Sequence, residues 1–214
     1  LLERRQVRLD RRPTRGAIRG MGLAVINPEG ALWVQRDVGK HVGTDREPDK
    51  LAIAFETEKD GEGPDRTVLG AVPEIFSRRD MPGVMSHLYT MDNGMPSTPM
   101  LEFREKGVHI NYGIAVAVYD GPLSRFHPHV TEEASPVDWM TPGDFLGRTD
   151  VRPLARHAVD YLKVHGIIDQ ALGRFHDPDR PRRLLLPPGF EVAQFHDERE
   201  NIQDMKPGAV YTIL

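Results

Sequence analysis

Residues 20–36 constrain this chain most, because two apolar runs, GMGLAVIN and ALWVQR, are separated only by Pro28-Glu29-Gly30. Strand-like runs joined by so short a Pro/Gly turn predict an antiparallel hairpin. Further runs extend the pattern. Residues 51–55 (LAIAF) read as a short buried strand, residues 112–119 (YGIAVAVY) as a strong one ended by Asp120-Gly121-Pro122, and residues 137–140 as a short one. Between 78 and 106 the chain is rich in Pro, Gly, Met and charge, which predicts long loops around one strand near 86–90.

Helices are predicted at three places. Val68, Leu69, Val72 and Ile75 fall at helical spacing, with Gly70 and Pro73 making that helix short or broken. Thr141 is a natural N-cap, followed by Pro142 and by Asp144 three residues on. Residues 152–165 place Leu154, Ala158, Tyr161, Leu162 and His165 on one face and stop at Gly166. Regularity is lost after Gly173, where residues 190–195 and 209–214 are strand-like runs able to pack on the body or meet a partner.

With 214 residues and 39% hydrophobic content, the chain has room for one compact domain and a tail. The expected division is a basic arm at 1–13, a domain at 14–175 and an extension at 176–214. Arg4, Arg5, Arg8, Arg11, Arg12, Arg15 and Arg19 crowd the first twenty residues against Glu3 and Asp10, so about −9 of charge rests on the remainder. Such an arm is more often solvated or in contact with a partner than bound to nucleic acid. The absence of cysteine excludes disulfides, thiolate metal sites and cysteine nucleophiles. No apolar run reaches bilayer-spanning length and no signal-peptide pattern opens the chain, so a cytoplasmic protein with no membrane partner is expected.

The order hairpin, strand, acidic turn, helix, long loop, strand, Trp-bearing strand and helix over 14–172 resembles the Nudix hydrolase family. The resemblance rests on LAVINPEGALWVQR (23–36), on the strand ending at VYDG (118–121), and on TEEASPVDWMTPGDFL (131–146). It implies an α/β fold, an α/β/α sandwich on a mixed sheet. The family signature, G-x5-E-x7-R-E-U-x-E-E-x-G-U with U apolar, gathers glutamates on one helical face to hold divalent cations against a diphosphate. In this register the chain keeps Glu62, the apolar Val72 and Glu74. It departs at Glu56 for the leading glycine, Gly70 for the arginine, Ala71 and Ile75 for glutamates, and Ser77 and Arg78 at the end.

The resemblance therefore implies Glu62 and Glu74 as catalytic and metal-holding residues, with Glu56, Glu58 and Glu133 as supplementary carboxylates and magnesium or manganese as the cation. Alternation along an extended segment would set Glu56, Glu58, Asp60 and Glu62 on one side. Arg36 and Lys40 are the candidates to meet phosphate. The expected ligand is nucleotide-like and diphosphate-linked, either cleaved by a divergent metal-dependent route or bound without cleavage, and a homodimer is left open. Two alternatives stand beside it. One is a non-catalytic partner-binding or regulatory module. The other, weaker one is a cupin-like metalloenzyme, since Gly121, His127, His129 and Glu133 match the motif G-x5-H-x-H-x3-E, although Met140 stands where its next glycine belongs. His157 and His165, eight residues apart, are expected to be structural, and Trp33 and Trp139 to be core anchors rather than base-stacking platforms.

Overall fold

The computed structural model describes residues 18–37, 49–76, 80, 84–85, 87–90, 96–105, 108–122, 124, 126, 128, 130, 134–180 and 183–185. The basic arm, Lys40, His127, His129, Glu133 and the runs 190–195 and 209–214 lie outside the described residues. The hairpin is present as β1 (Ile18–Ile26) and β2 (Leu32–Asp37). Its turn is held by the Gly30 amide donating to the Asn27 carbonyl at 2.9 Å and by the Ala31 amide donating to Asn27 Oδ1 at 2.8 Å. Gly30 sits at φ +87, a region that a side chain would strain.

The two arms pair only at Ile26 and Leu32, then part. The segment that fills the opening runs as β3 (Lys50–Ala52) against β2 and β4 (Ala54–Thr57) against β1. The single strand expected at 51–55 is thus two strands broken at Ile53, because a segment pairing with both diverging arms has to change direction. β7 (Val108–Tyr119) lies parallel to β1 from Ile18–Ile110 to Ile26–Val118. A strand so central is covered on both faces, which explains its unbroken apolar run.

On its other edge β7 pairs with β6 (Leu101–Glu105) and with β5 (Leu88–Thr90), and β5 in turn pairs with β9 (Arg183–Leu184). Among its described residues the 78–106 region therefore holds two strands where one was expected; LEFRE is too short and too charged to stand out from its loops. β8 (Ala134–Met140) pairs with β2 and completes a mixed sheet.

α1 (Pro64–Gly70) and a 3-10 turn (Val72–Glu74) pack on one face of this sheet. α2 (Pro142–Gly147), α3 (Pro153–Val164) and α4 (Ile167–His176) belong to the other. This is the α/β/α sandwich expected from the sequence. Thr141 caps α2 by accepting from the Asp144 amide. α3 buries Ala155, Ala158, Val159 and Leu162, so its core face is turned from the expected one: Leu154 and Tyr161 are only partly buried and His165 stacks on Tyr161 at 4.1 Å. Gly166, at φ +63, ends α3 and lets α4 begin at once, a helix the sequence reading did not separate. His157 is tied to the core, meeting the buried Tyr112 hydroxyl at 2.6 Å, and burial pushes that phenol's pKa far up, so the hydroxyl keeps its proton.

No helix among the described residues is long and apolar enough to cross a membrane.

Candidate ligand-binding site on the α1 face

The signature region begins where β4 leaves the sheet. Glu56 and Glu58 keep the alternation of an extended chain, but Asp60 and Gly61 form a turn, so Glu62 does not continue the row. Glu58 pairs with Arg19 of β1 at 3.1 Å and is largely buried. Glu62 folds back on its own turn, its Oε2 accepting from the Lys59 amide at 3.1 Å while its amide donates to the Lys59 carbonyl at 2.9 Å. Glu56 lies 4.0 Å from Lys59 Nζ and passes over α1, where a Cβ on Gly70 would come within 2.9 Å of its Cγ. The position the signature gives to arginine is a glycine here because the glutamate chain occupies that space.

Pro64 starts α1 without needing an amide donor, and Thr67 returns its hydroxyl to the Gly63 carbonyl at 3.0 Å. The helix stops after Gly70 because Pro73 can supply no amide and its ring opposes the carbonyl four residues back. The chain tightens into the 3-10 turn, which rotates Ala71, Val72, Ile75 and Phe76 inward. Ala71 is 0% exposed and Ile75 2% exposed, both in the core with Met21, Leu23, Val25 and Ala115. Two positions the signature assigns to metal-holding glutamates are thus core positions. Glu74, half-buried, turns back to the sheet and accepts from the Phe55 amide at 3.2 Å.

Among the described residues no three histidine, aspartate or glutamate side chains gather closely enough to hold a metal ion. Glu58 is matched by Arg19, and Glu62 and Glu74 are turned to backbone amides. Of the basic candidates, Arg36 faces Asp150 at 3.4 Å and bonds the Asp49 carbonyl, so its partners lie in the α2–α3 connection and at the start of β3. Asp150 is bound mainly by Arg148, which holds its carboxyl well below the usual carboxylate range.

The same face of the sheet carries an aromatic group. Trp33 of β2 stands opposite Trp139 of β8, ring centres 5.5 Å apart. Phe126 sits 4.8 Å from each indole and also touches Phe76 at 5.0 Å and Tyr119 at 4.9 Å. Trp33 is a core residue, as expected, whereas Trp139 is only half-buried. Phe126 was not singled out from the sequence; it stands alone among polar loop residues, and no periodicity marks it.

No protein-family model and no curated protein matches the chain. Solved structures do. The fold is similar to that of a MutT protein from Methanosarcina mazei Go1, at 12% identity and TM-score 0.51, over 70% of this chain and 95% of that one. A MutT Nudix hydrolase from Burkholderia pseudomallei matches at 14% identity and TM-score 0.47, over 68% and 98%. An Ap4A hydrolase from C. elegans matches at 12% identity and TM-score 0.49, over 70% and 97%. The fold is that of the Nudix hydrolases.

Proposed function

We propose that this chain uses the Nudix fold to bind a nucleoside diphosphate-linked ligand on its α1 face without cleaving it by the family's multi-glutamate route. The observation that carries this reading is the burial of Ala71 and Ile75. A helix that collects metal turns its carboxylates outward, and this one turns the equivalent positions into the core, where an uncompensated charge would be prohibitive. The pairing of Glu58 with Arg19 and the bond from the Phe55 amide to Glu74 support it. In this reading Arg36 braces β2, and Lys40 remains the candidate for phosphate.

The test is product release from nucleoside diphosphate-linked compounds and nucleoside triphosphates with magnesium or manganese, set beside calorimetric binding of the same compounds. Binding without turnover is the expected result. Turnover that disappears in the Glu62→Gln/Glu74→Gln double variant would replace this reading with that of a divergent hydrolase. Removing residues 1–12 separates a third reading: a module that works through its basic arm loses its partner, while ligand binding on the α1 face is unchanged.

A further inference from the structure

We propose that residues 209–214 of this chain dock as an added strand along the outer edge of β6, extending the sheet beside β7.

Most edges of the sheet are closed to such an addition. Along β8, Pro136 has no amide to offer and the Trp139 amide donates to Asp138 Oδ1 at 2.7 Å, so a further strand finds no regular row of donors. The outer side of β3 is taken by the segment before α3: the Leu51 amide donates to the Asp150 carbonyl at 2.7 Å, and the Arg152 amide to the Leu51 carbonyl at 2.9 Å. Beside β7, β5 is covered by β9, and the Ile114 and Val116 amides donate to the Thr98 and Ser97 hydroxyls, each at 3.0 Å. β9 itself is two residues long, too short to seat a strand. β6 differs. Among the described residues it pairs with β7 alone, so the row that β9 opens beside β5 is empty beside β6.

The two faces of β6 set what can lie there. Toward α3, Phe103 and Ile110 are half-buried, with the Phe103 ring 5.6 Å from that of His157. On the α1 face, Glu102 accepts from Arg104 Nε at 2.6 Å and lies 2.9 Å from His109 Nε2, so its charge is already matched. An added strand therefore needs an apolar side toward Phe103 and an uncharged one toward these pairs. Residues 209–214 read AVYTIL, which alternation sorts into Tyr211 and Ile213 on one side and Val210 and Thr212 on the other, without a charge on either.

Reach selects this run over the strand-like one at 190–195. The described chain leaves the sheet at Leu185, bonded to Leu88, which stands opposite Tyr119. The nearer end of β6, Leu101, stands opposite Tyr112, seven residues back along β7 and about 23 Å away at the rise of a strand. Residue 190 is five residues beyond Leu185 and reaches about 18 Å at full extension, short of β6. Residue 209 is 24 residues beyond it and reaches about 80 Å.

Hydrogen exchange read by mass spectrometry tests the docking. The amides of 101–105 are expected to exchange about tenfold or more slowly in the full chain than in one ending at residue 208, while those of β5, paired on both sides, keep their rate. Thr212→Pro, which removes one donor from the middle of the run, should reproduce the loss, and Thr212→Val should not. Because the chain has no cysteine, Arg104→Cys combined in turn with Val210→Cys, Thr212→Cys or Leu214→Cys can form one disulfide, and at least one of the three is expected to close within a single molecule.

Equal exchange at 101–105 in the full and shortened chains, or no disulfide within one molecule from any of the three pairs, would overturn the docking. A disulfide joining two molecules would give the edge to a second copy instead. Should the shortened chain fail to fold, Thr212→Pro and the disulfides decide. Faster exchange throughout β5 and β7 in Thr212→Pro would also overturn it, since the run would then support the whole domain and not this edge.

Discussion

Ile75 shows what a single side chain can decide about this protein. It occupies a signature glutamate position and lies in the core beside Val72 and Phe76. Ile75→Glu would therefore not restore a metal ligand; it should lower stability by about 4 kcal/mol, the range for an unpaired charge forced into a core. Denaturant unfolding measures this, and a variant as stable as wild type that hydrolyses nucleotides would reverse the reading of this turn. The identities at 71 and 75 were legible in the sequence as departures from the signature. Their direction was not, because Pro73 converts the helix into a 3-10 turn and so changes which side chains face inward. Glu74 was legible as a retained carboxylate. Its bond to the Phe55 amide was not, since that contact spans two elements whose relative placement no local pattern encodes.

Between elements, the contact of α1 with β4 is close enough to test. Alanine is ordinarily preferred to glycine within a helix by about 1 kcal/mol. Gly70→Ala should nonetheless destabilise, because the new Cβ would meet Glu56 Cγ at 2.9 Å. In the Glu56→Ala background the same change should become favourable, and a double-mutant cycle on unfolding free energy reads the reversal directly. The α2–α3 connection gives a pH dependence. Arg148 holds Asp150 below its unfolded pKa, so the carboxylate contributes stability above the usual aspartate range, near pH 4, and loses it as pH falls through and below that range. About a third of this side chain is exposed, so the contribution is small. Asp150→Asn should lower the neutral plateau slightly and flatten the acid limb of stability, as followed by thermal melts from pH 7 to pH 3. At this scale the hairpin, β7, α2 and α3 were readable from turns, caps and periodicity. β6 and α4 were not, one because its charges hid it and the other because Gly166 ends one helix while opening the next.

Across the whole molecule, the sheet reaches past the domain boundary expected at 175. β9 adds Arg183–Leu184 to β5, and Leu185 is buried in the α1-side core, its amide donating to the Leu88 carbonyl at 2.9 Å. A chain ending at 182 should therefore be less stable than one ending at 190 by about 2 kcal/mol, the value of burying one leucine. Comparison of their unfolding midpoints checks this, and equal midpoints would return residues 183–185 to the tail. The layered plan was legible because strand and helix signals alternate along the sequence. The parting of β1 from β2 was not, since a short turn between two strands normally zips them along their length.

That parting bears on how fast the protein can fold. With one residue pair near its turn, the hairpin gives the early chain little local structure to keep. The long ladder of β1 is made instead with β7, roughly ninety residues away, and a loop of that size must close before its contacts repay the entropy. Before residues 108–119 are made, β1 has only its four pairs with β4 and the packing of α1 to hold it, so most of its ladder forms late, a consequence of topology rather than of marginal stability.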